Sequence, residues 1–144
     1  MIQLHVVLDT NVIISALRSK HSASWQILRH IGSGIFDIHL SIPLVLEYED
    51  VLKRREFADW WTLADADDVL DYVCSVGKHH KIWYLWRPFL HDPKDDLVVE
   101  LALTAGAQYI VTHNIRHFKQ VESLNIKPVT PEVFLRQIGA RKHE

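Results

Sequence analysis

The chain has 144 residues, of which 48% are hydrophobic and 24% are charged, and its formal net charge is −2. This composition predicts one globular domain over residues 1–144 and excludes a disordered, collagen-like or coiled-coil protein. The near-neutral charge argues against a protein whose whole surface binds nucleic acid. Local basic clusters, such as those at 53–55, 78–81 and 116–119, can still border a binding site.

The sequence predicts neither a membrane protein nor a secreted one. No apolar run approaches the ~20 residues of a membrane-spanning helix, and the first residues lack the pattern of a secretory signal. The single cysteine, Cys74, cannot form an internal disulfide, which is typical of a reducing compartment. We therefore expect a cytoplasmic protein.

Predicted strands and helices alternate along the chain. Apolar or alternating runs predict strands over 3–9, 36–40, 81–84, 108–112 and 127–129. Helical spacing predicts helices over 11–18, 23–32, 43–55, 64–77, 92–106 and 131–138. This alternation implies an α/β fold of three layers, in which helices cover both faces of a parallel sheet of about five strands.

The most informative residue is Asp9, which directly follows the apolar strand that ends at Leu8. The carboxyl ends of strands in an open α/β sheet are where ligands bind, and a desolvated carboxylate needs a partner. Asp9 is therefore a candidate functional acid. The alternative is that Asp9 only caps the next helix by accepting its backbone N–H groups. Asn11 and Ser15 follow closely enough to orient Asp9 or a bound water.

A second acid, Glu47, lies within a predicted amphipathic helix. Leu44, Tyr48, Val51 and Leu52 define the inward stripe of this helix. Glu47 shares that face, because it comes three residues after Leu44 and four before Val51. Burial of an unpaired acid is costly, so Glu47 is a candidate ligand. The alternative is an ion pair with a lysine or arginine.

Three acids open the helix predicted over 92–106. Asp92 before Pro93 is a good helix cap, and acids in the first turn complement the helix dipole. These two effects account for Asp92 and Asp96 without any further function. Asp95 differs because it shares a face with apolar residues of the same helix. Asp95 is therefore the preferred functional acid, with Asp92 and Asp96 in support.

The strand predicted over 108–112 ends in polar residues that offer oxygen atoms. Thr112 carries a hydroxyl and Asn114 a carbonyl oxygen, although a simple loop cap is the alternative. Carboxylate and carbonyl oxygens are hard ligands that suit Mg²⁺ or Mn²⁺. Such ions can activate water for attack on a phosphodiester. Without a cation, three grouped carboxylates would repel by roughly 3 kcal/mol per pair at ~5 Å and an effective dielectric of ~20.

In these motifs and their order, the sequence resembles the PIN-domain ribonucleases, particularly the toxin components of bacterial and archaeal toxin–antitoxin pairs. The resemblance spans nearly the whole chain and implies the α/β/α fold of that family, a PIN-like domain. It also implies that Asp9, Glu47 and Asp95 are metal ligands for Mg²⁺ or Mn²⁺. The segments that carry it are 9–17, 46–48, 92–96, 111–118 and 129–134.

The resemblance further implies an RNA substrate, a cognate antitoxin that blocks the site, and homodimers. It gives Asn114 a catalytic position, since many PIN domains carry a fourth aspartate there. His117 also occupies a place that is often acidic in relatives. This departure leaves open a second hypothesis, a catalytically weak PIN scaffold that binds RNA or protein without cleavage.

A third hypothesis is a phosphatase of the haloacid-dehalogenase type, suggested by Asp9 and the later Asp95-Asp96 pair. That chemistry usually needs a second aspartate two residues after the nucleophile, where this chain has Asn11. The chain is also short for that architecture. Zinc is not expected: His113 and His117 have the spacing of a helical metal pair, but the accompanying glutamate pattern is missing.

Overall fold

The structure, a computed structural model, describes residues 3–82, 90 and 92–142. Five parallel strands form its sheet: β1 (Leu4–Leu8), β2 (Phe36–Ser41), β3 (Lys78–His80), β4 (Tyr109–Val111) and β5 (Lys127–Val129). Across the sheet their order is β3-β2-β1-β4-β5. β1 therefore lies at the centre, which agrees with its apolar sequence.

Helices alternate with these strands. The α-helices of the described part are α1 (Thr10–Arg18), α2 (Ala23–His30), α3 (Ile42–Leu52), α4 (Leu63–Val76), α5 (Pro93–Ala105) and α6 (Pro131–Lys142). Short 3₁₀ turns at Arg55–Phe57 and a longer 3₁₀ segment at Ile115–Leu124 complete this part. None of the helices described combines the length and the apolar character that crossing a bilayer requires.

Helices cover the sheet to form the predicted α/β/α arrangement. α5 packs against β1, β2, β3 and β4, and α6 packs against α2. Phe134 of α6 contacts the ring of Phe36 at a centroid distance of 5.2 Å and that of Tyr109 at 5.9 Å. Phe134 thereby links α6 to strands on both sides of β1. The predicted fold class is confirmed, and the predicted helices are present with ends that differ by at most four residues.

The predicted third strand is wrong in position. The apolar stretch over 81–84 suggested a strand there, but β3 is the polar segment Lys78–His80. Lys81 and Ile82 follow it, and residues 83 and 84 lie outside the described part. Among the strands described, β3 lies at one edge of the sheet and pairs with β2, with Ser41 opposite His80. An edge strand is stabilised by its partner strand and needs no apolar alternation of its own.

Three histidine rings join β1, β2 and β3. His39 Nε2 lies 2.9 Å from His5 Nδ1, and His39 Nδ1 lies 2.7 Å from His80 Nε2. Burial and the neighbouring His80 and His5 together lower the pKa of His39 to about 4. We call these three residues the histidine chain.

The register of the sheet places the carboxyl ends of strands β1 and β4 side by side. Leu8 pairs with Val111. The backbone N–H of Asp9 donates to the carbonyl of Val111 at 2.9 Å, and that of Thr112 donates to the carbonyl of Val129 at 2.9 Å. Asp9 and Thr112 are therefore neighbours at the carboxyl edge of the sheet, where sites form in open α/β folds.

Candidate active site

Asp9 is buried and its carboxylate is held from three directions. Its Oδ2 accepts hydrogen bonds from Thr112 Oγ1 at 2.7 Å and Asn11 Nδ2 at 3.2 Å, and its Oδ1 accepts one from the backbone N–H of Thr10 at 2.8 Å. Burial raises the pKa of Asp9, and the hydrogen bonds from Thr112 and Thr10 oppose that rise. Asp9 thus caps α1 and also lies at the edge of the sheet.

The hydroxyl of Thr112 has a defined orientation. Its oxygen accepts hydrogen bonds from the backbone N–H of Asn114 at 2.9 Å and from Asn11 Nδ2 at 3.5 Å. Because these N–H groups approach the oxygen, the hydroxyl proton is directed toward Asp9. Thr112 and Asn11 therefore position Asp9, as the sequence predicted for Asn11. Asn114 is itself exposed.

Thr112→Val is expected to lower the free energy of unfolding by about 1–3 kcal/mol at neutral pH, because the buried Asp9 carboxylate loses a donor. The loss should shrink as the pH falls, since a protonated carboxyl no longer requires that donor. Urea unfolding at several pH values measures both effects. Thr112→Ser retains the hydroxyl and is the matched control. Equal stability of the valine variant and the wild type at neutral pH would contradict this account.

Asp95 lies in the first turn of α5 with 13% of its side chain exposed, and its Oδ2 is 3.2 Å from His117 Nδ1. Burial and, to a smaller extent, the charges of Asp9 and Asp92 raise the pKa of Asp95 to about 6, while His117 acts in the opposite direction. The charge of Asp9 acts on the pKa of Asp95, which places these two acids, 86 positions apart in the sequence, near each other.

Glu47 points inward from α3, as the sequence predicted, and 14% of its side chain is exposed. Its Oε1 lies 3.7 Å from Lys94 Nζ, so the ion pair considered as an alternative is present. Lys94 directly precedes Asp95, which brings Glu47 to the same end of α5. Within residues 3–82, 90 and 92–142, no three His, Cys, Asp or Glu side chains are grouped so that they could hold a metal ion. The ligand role of Glu47 stays a prediction.

The two supporting acids of α5 have different surroundings. Asp92 is exposed and caps α5, with its Oδ1 accepting a hydrogen bond from the backbone N–H of Lys94 at 2.9 Å. Asp96 is 1% exposed, and its Oδ1 accepts a hydrogen bond from the backbone N–H of Leu90 at 2.8 Å. Asp92 therefore acts on Asp95 through its charge, whereas Asp96 anchors the chain segment that leads into α5.

Ser15 contacts a different group from the one expected. The sequence suggested that Ser15 orients Asp9 or a bound water, but its hydroxyl contacts His113, Ser24 and the carbonyl of Val12. Ser24 and His113 come from α2 and from the loop after β4. Sequence reasoning missed this cluster because its members are 9 and 98 positions from Ser15.

Cationic side chains border the acids. A cleft of about 260 Å³ is lined by Leu90, Asp92, Asp95, Arg116, His117 and Gln120. A second cleft of about 320 Å³ is lined by residues 113–117 and shares two of these side chains, Arg116 and His117. The loop after β4 thus forms a rim that places Arg116 and His117 beside Asp95, with His113 at its other end. We call residues 113–117 the rim loop.

The acidic pair has the chemistry of a divalent-cation site. Asp9 and Asp95 offer hard oxygen atoms, and burial together with the charge of Asp9 raises the pKa of Asp95. Mg²⁺ is commonly held in proteins by one or two carboxylates with water completing its shell. The residues present therefore fit Mg²⁺ or Mn²⁺ with two carboxylate ligands, even though a group of three is not formed in the described part of the chain.

Comparison with solved structures agrees with this fold. A chain of VapBC2 from Rickettsia felis, bound to a promoter DNA fragment, superposes with a TM-score of 0.62 at 16% identity, covering 88% of this chain and 98% of that one. For VapBC-1 from nontypeable Haemophilus influenzae the TM-score is 0.58 at 13% identity, and the match covers 90% of this chain and 99% of that one. DNA-bound VapBC from Salmonella typhimurium gives 0.61 at 16% identity, with 90% and 99% covered.

The sequence itself gives a more specific match. No curated protein matches it. The family model of the PIN domain, however, matches residues 5–116, which is most of the chain and includes Asp9, Glu47, Asp95 and Thr112. The chain therefore belongs to the PIN domain family.

Proposed function

We propose that this protein is a metal-dependent endoribonuclease that acts as the toxin of a toxin–antitoxin pair. The observation that carries the proposal is the meeting of Asp9 and Asp95 at the carboxyl edge of the sheet, beside a cationic rim. Acids of this kind suit a divalent cation, and cationic side chains suit the phosphates of RNA. Membership of the PIN domain family supports a nuclease.

In this proposal Asp9 and Asp95 hold Mg²⁺ or Mn²⁺. The family resemblance implies Glu47 as a third ligand, although in the described part of the chain Glu47 pairs with Lys94 and is not grouped with the two acids. When bound, the cation would supply Lewis-acid activation of water and neutralise charge on the phosphodiester. Thr112 and Asn11 keep the Asp9 carboxylate in one orientation. Arg116 and His117 offer N–H donors to the phosphate from the rim, and Asn114 contributes a polar side chain at the same edge.

The proposed partner is a cognate antitoxin that covers the site. Three of the structural relatives are VapBC complexes, which supports such a partner. We further propose that the whole chain acts as one domain, forms a homodimer and works in the cytoplasm.

The direct test is cleavage of a mixed single-stranded RNA by the purified protein with Mn²⁺, with Mg²⁺, or with chelator. We expect cleavage with either ion and none with chelator. A catalytically weak scaffold is the second candidate, because His117 pairs with Asp95 where relatives are often acidic. RNA binding without cleavage under all three conditions would favour the scaffold and refute the nuclease.

Metal binding should also raise the free energy of unfolding. Mn²⁺ at 100 times its Kd would stabilise the folded protein by about 2.7 kcal/mol, because the unfolded chain does not group Asp9 and Asp95. In chelator at neutral pH, Asp95→Asn should raise the free energy of unfolding by about 1 kcal/mol, because it removes a carboxylate whose folded pKa is raised. Asp59→Asn, at an exposed acid, is the control.

The pH dependence of this effect has a definite sign. A carboxyl with a raised folded pKa destabilises the protein while it is ionised, so the penalty is present above about 6 and disappears as the pH falls toward 3.8. The advantage of Asp95→Asn over wild type should therefore be largest at neutral pH and small near pH ~4. If Asp95→Asn is less stable than wild type in chelator, and Mn²⁺ does not stabilise the wild type, Asp95 only stabilises the first turn of α5.

A further inference from the structure

His113 is exposed in the rim loop, yet its ring is held at one nitrogen. Its Nε2 lies 2.9 Å from Ser15 Oγ and 3.4 Å from Ser24 Oγ, and the two serine hydroxyls are hydrogen-bonded to each other. Ser24 is 1% exposed, so it is a fixed support. Within residues 3–82, 90 and 92–142, the other ring nitrogen, Nδ1, makes no hydrogen bond and remains available to a solute.

This ring lies close to Asp9. The backbone N–H of His113 donates to Asn11 Oδ1 at 3.2 Å, and the amide nitrogen of Asn11 donates to Asp9. A charge on His113 also acts on the pKa of Asp9, which places the two residues close together. RNA carries a phosphate on every nucleotide, so a strand bound at the acids would bring neighbouring phosphates to the rim loop.

The hydrogen-bond pattern permits two neutral tautomers of the His113 ring. In one, Nε2 carries the proton and donates to Ser15, whose hydroxyl donates to the carbonyl of Val12 at 3.2 Å. In the other, Ser24 donates to Ser15, Ser15 donates to Nε2, and Nδ1 carries the proton. Phosphate oxygens only accept hydrogen bonds. Of these two neutral forms, the second, with Nδ1–H directed outward, can donate to a phosphate, and a doubly protonated ring presents the same Nδ1–H.

We propose that His113 is a substrate-positioning residue that binds a backbone phosphate flanking the site of cleavage, with Ser15 and Ser24 fixing its ring. This inference rests on the proposed ribonuclease function. Contacts of an exposed histidine with its neighbours add little to the stability of a protein. We therefore attribute the two serine hydroxyls at Nε2 to a role in orienting Nδ1 toward a phosphate. Arg116 and His117 extend the same surface along the rim loop.

The test is RNA affinity measured by fluorescence anisotropy in chelator, where cleavage is not expected. His113→Ala should raise the Kd for single-stranded RNA about fivefold, and Ser15→Ala about twofold. His113→Asn, whose amide nitrogen is bonded to Cγ as Nδ1 is and can therefore replace Nδ1–H, should keep the Kd within about twofold of wild type. With Mn²⁺, His113→Ala should raise KM by a similar factor and change kcat less than twofold, since the acids are intact.

His30→Ala is the matched control, because His30 lies at the opposite end of α2 and contacts the carbonyl of Gln26. Unchanged RNA affinity in His113→Ala, with normal binding and cleavage by wild type, overturns this inference alone. Loss of antitoxin binding with unchanged RNA affinity also overturns it and assigns the ring to the protein partner. If wild type neither binds nor cleaves RNA, the proposed function fails together with the inference.

Discussion

Asp9→Asn is expected to lower the rate of Mn²⁺-dependent RNA cleavage by on the order of 100-fold, comparable to the loss of one preorganised electrostatic group in an enzyme site. The substitution keeps the size of the side chain but removes its negative charge. It also leaves the acidic pair with one carboxylate, Asp95, for a divalent cation. The rate is measured on a fluorescent single-stranded RNA at saturating Mn²⁺.

The fold should survive this change with a modest cost. An asparagine offers one acceptor oxygen where Asp9 uses two, so it cannot satisfy Thr112 on one side and the backbone N–H of Thr10 on the other. We expect a loss of about 1 kcal/mol in unfolding free energy, while α1 keeps a good cap because asparagine caps helices as well as aspartate does. Cleavage by Asp9→Asn within threefold of wild type, with Asp59→Asn equal to wild type, would refute the catalytic role.

Asp96→Ala is expected to give the largest stability loss at the site, about 2–3 kcal/mol. Its carboxylate is buried and accepts the hydrogen bond of the Leu90 amide, so truncation leaves that buried donor without its acceptor. Urea unfolding in chelator makes the measurement independent of any metal. Asp96→Asn retains an acceptor oxygen and should lose less.

Asp92→Ala is the control that distinguishes the loss of a helix cap from the loss of the buried hydrogen bond between Asp96 and Leu90. Asp92 is exposed and caps α5, so its loss should cost about 1 kcal/mol. If Asp96→Ala costs no more than Asp92→Ala in chelator, the buried carboxylate does not anchor the segment that enters α5.

Much of the site could be predicted because its residues follow ends of regular elements. Asp9 and Thr112 come directly after β1 and β4, and parallel strands deliver their carboxyl ends to one edge. Helical spacing favours Asp95 over Asp92 and Asp96 as the functional acid; this role stays a prediction, and burial raises the pKa of Asp95. Periodicity carries such information because it fixes which face a side chain occupies.

The remainder depends on contacts between distant segments, which periodicity does not encode. The sequence did not indicate that Glu47 lies beside Lys94, or that Ser15 contacts His113, because both contacts depend on how separate elements pack. The segment Ile115–Leu124 was also not predicted. Its buried residues Phe118 and Val121 are three positions apart, the spacing of a 3₁₀ segment.

The histidine chain makes one border of the sheet sensitive to acid. His39 stays neutral in the folded protein down to about pH 4, whereas the same ring in an unfolded chain takes up a proton near 6.5. Acidification between these values therefore favours release of the outermost strand, whose polar residues provide little apolar contact to resist it. Mildly acidic surroundings would loosen β3 first, while the central strand beneath Asp9 stays packed.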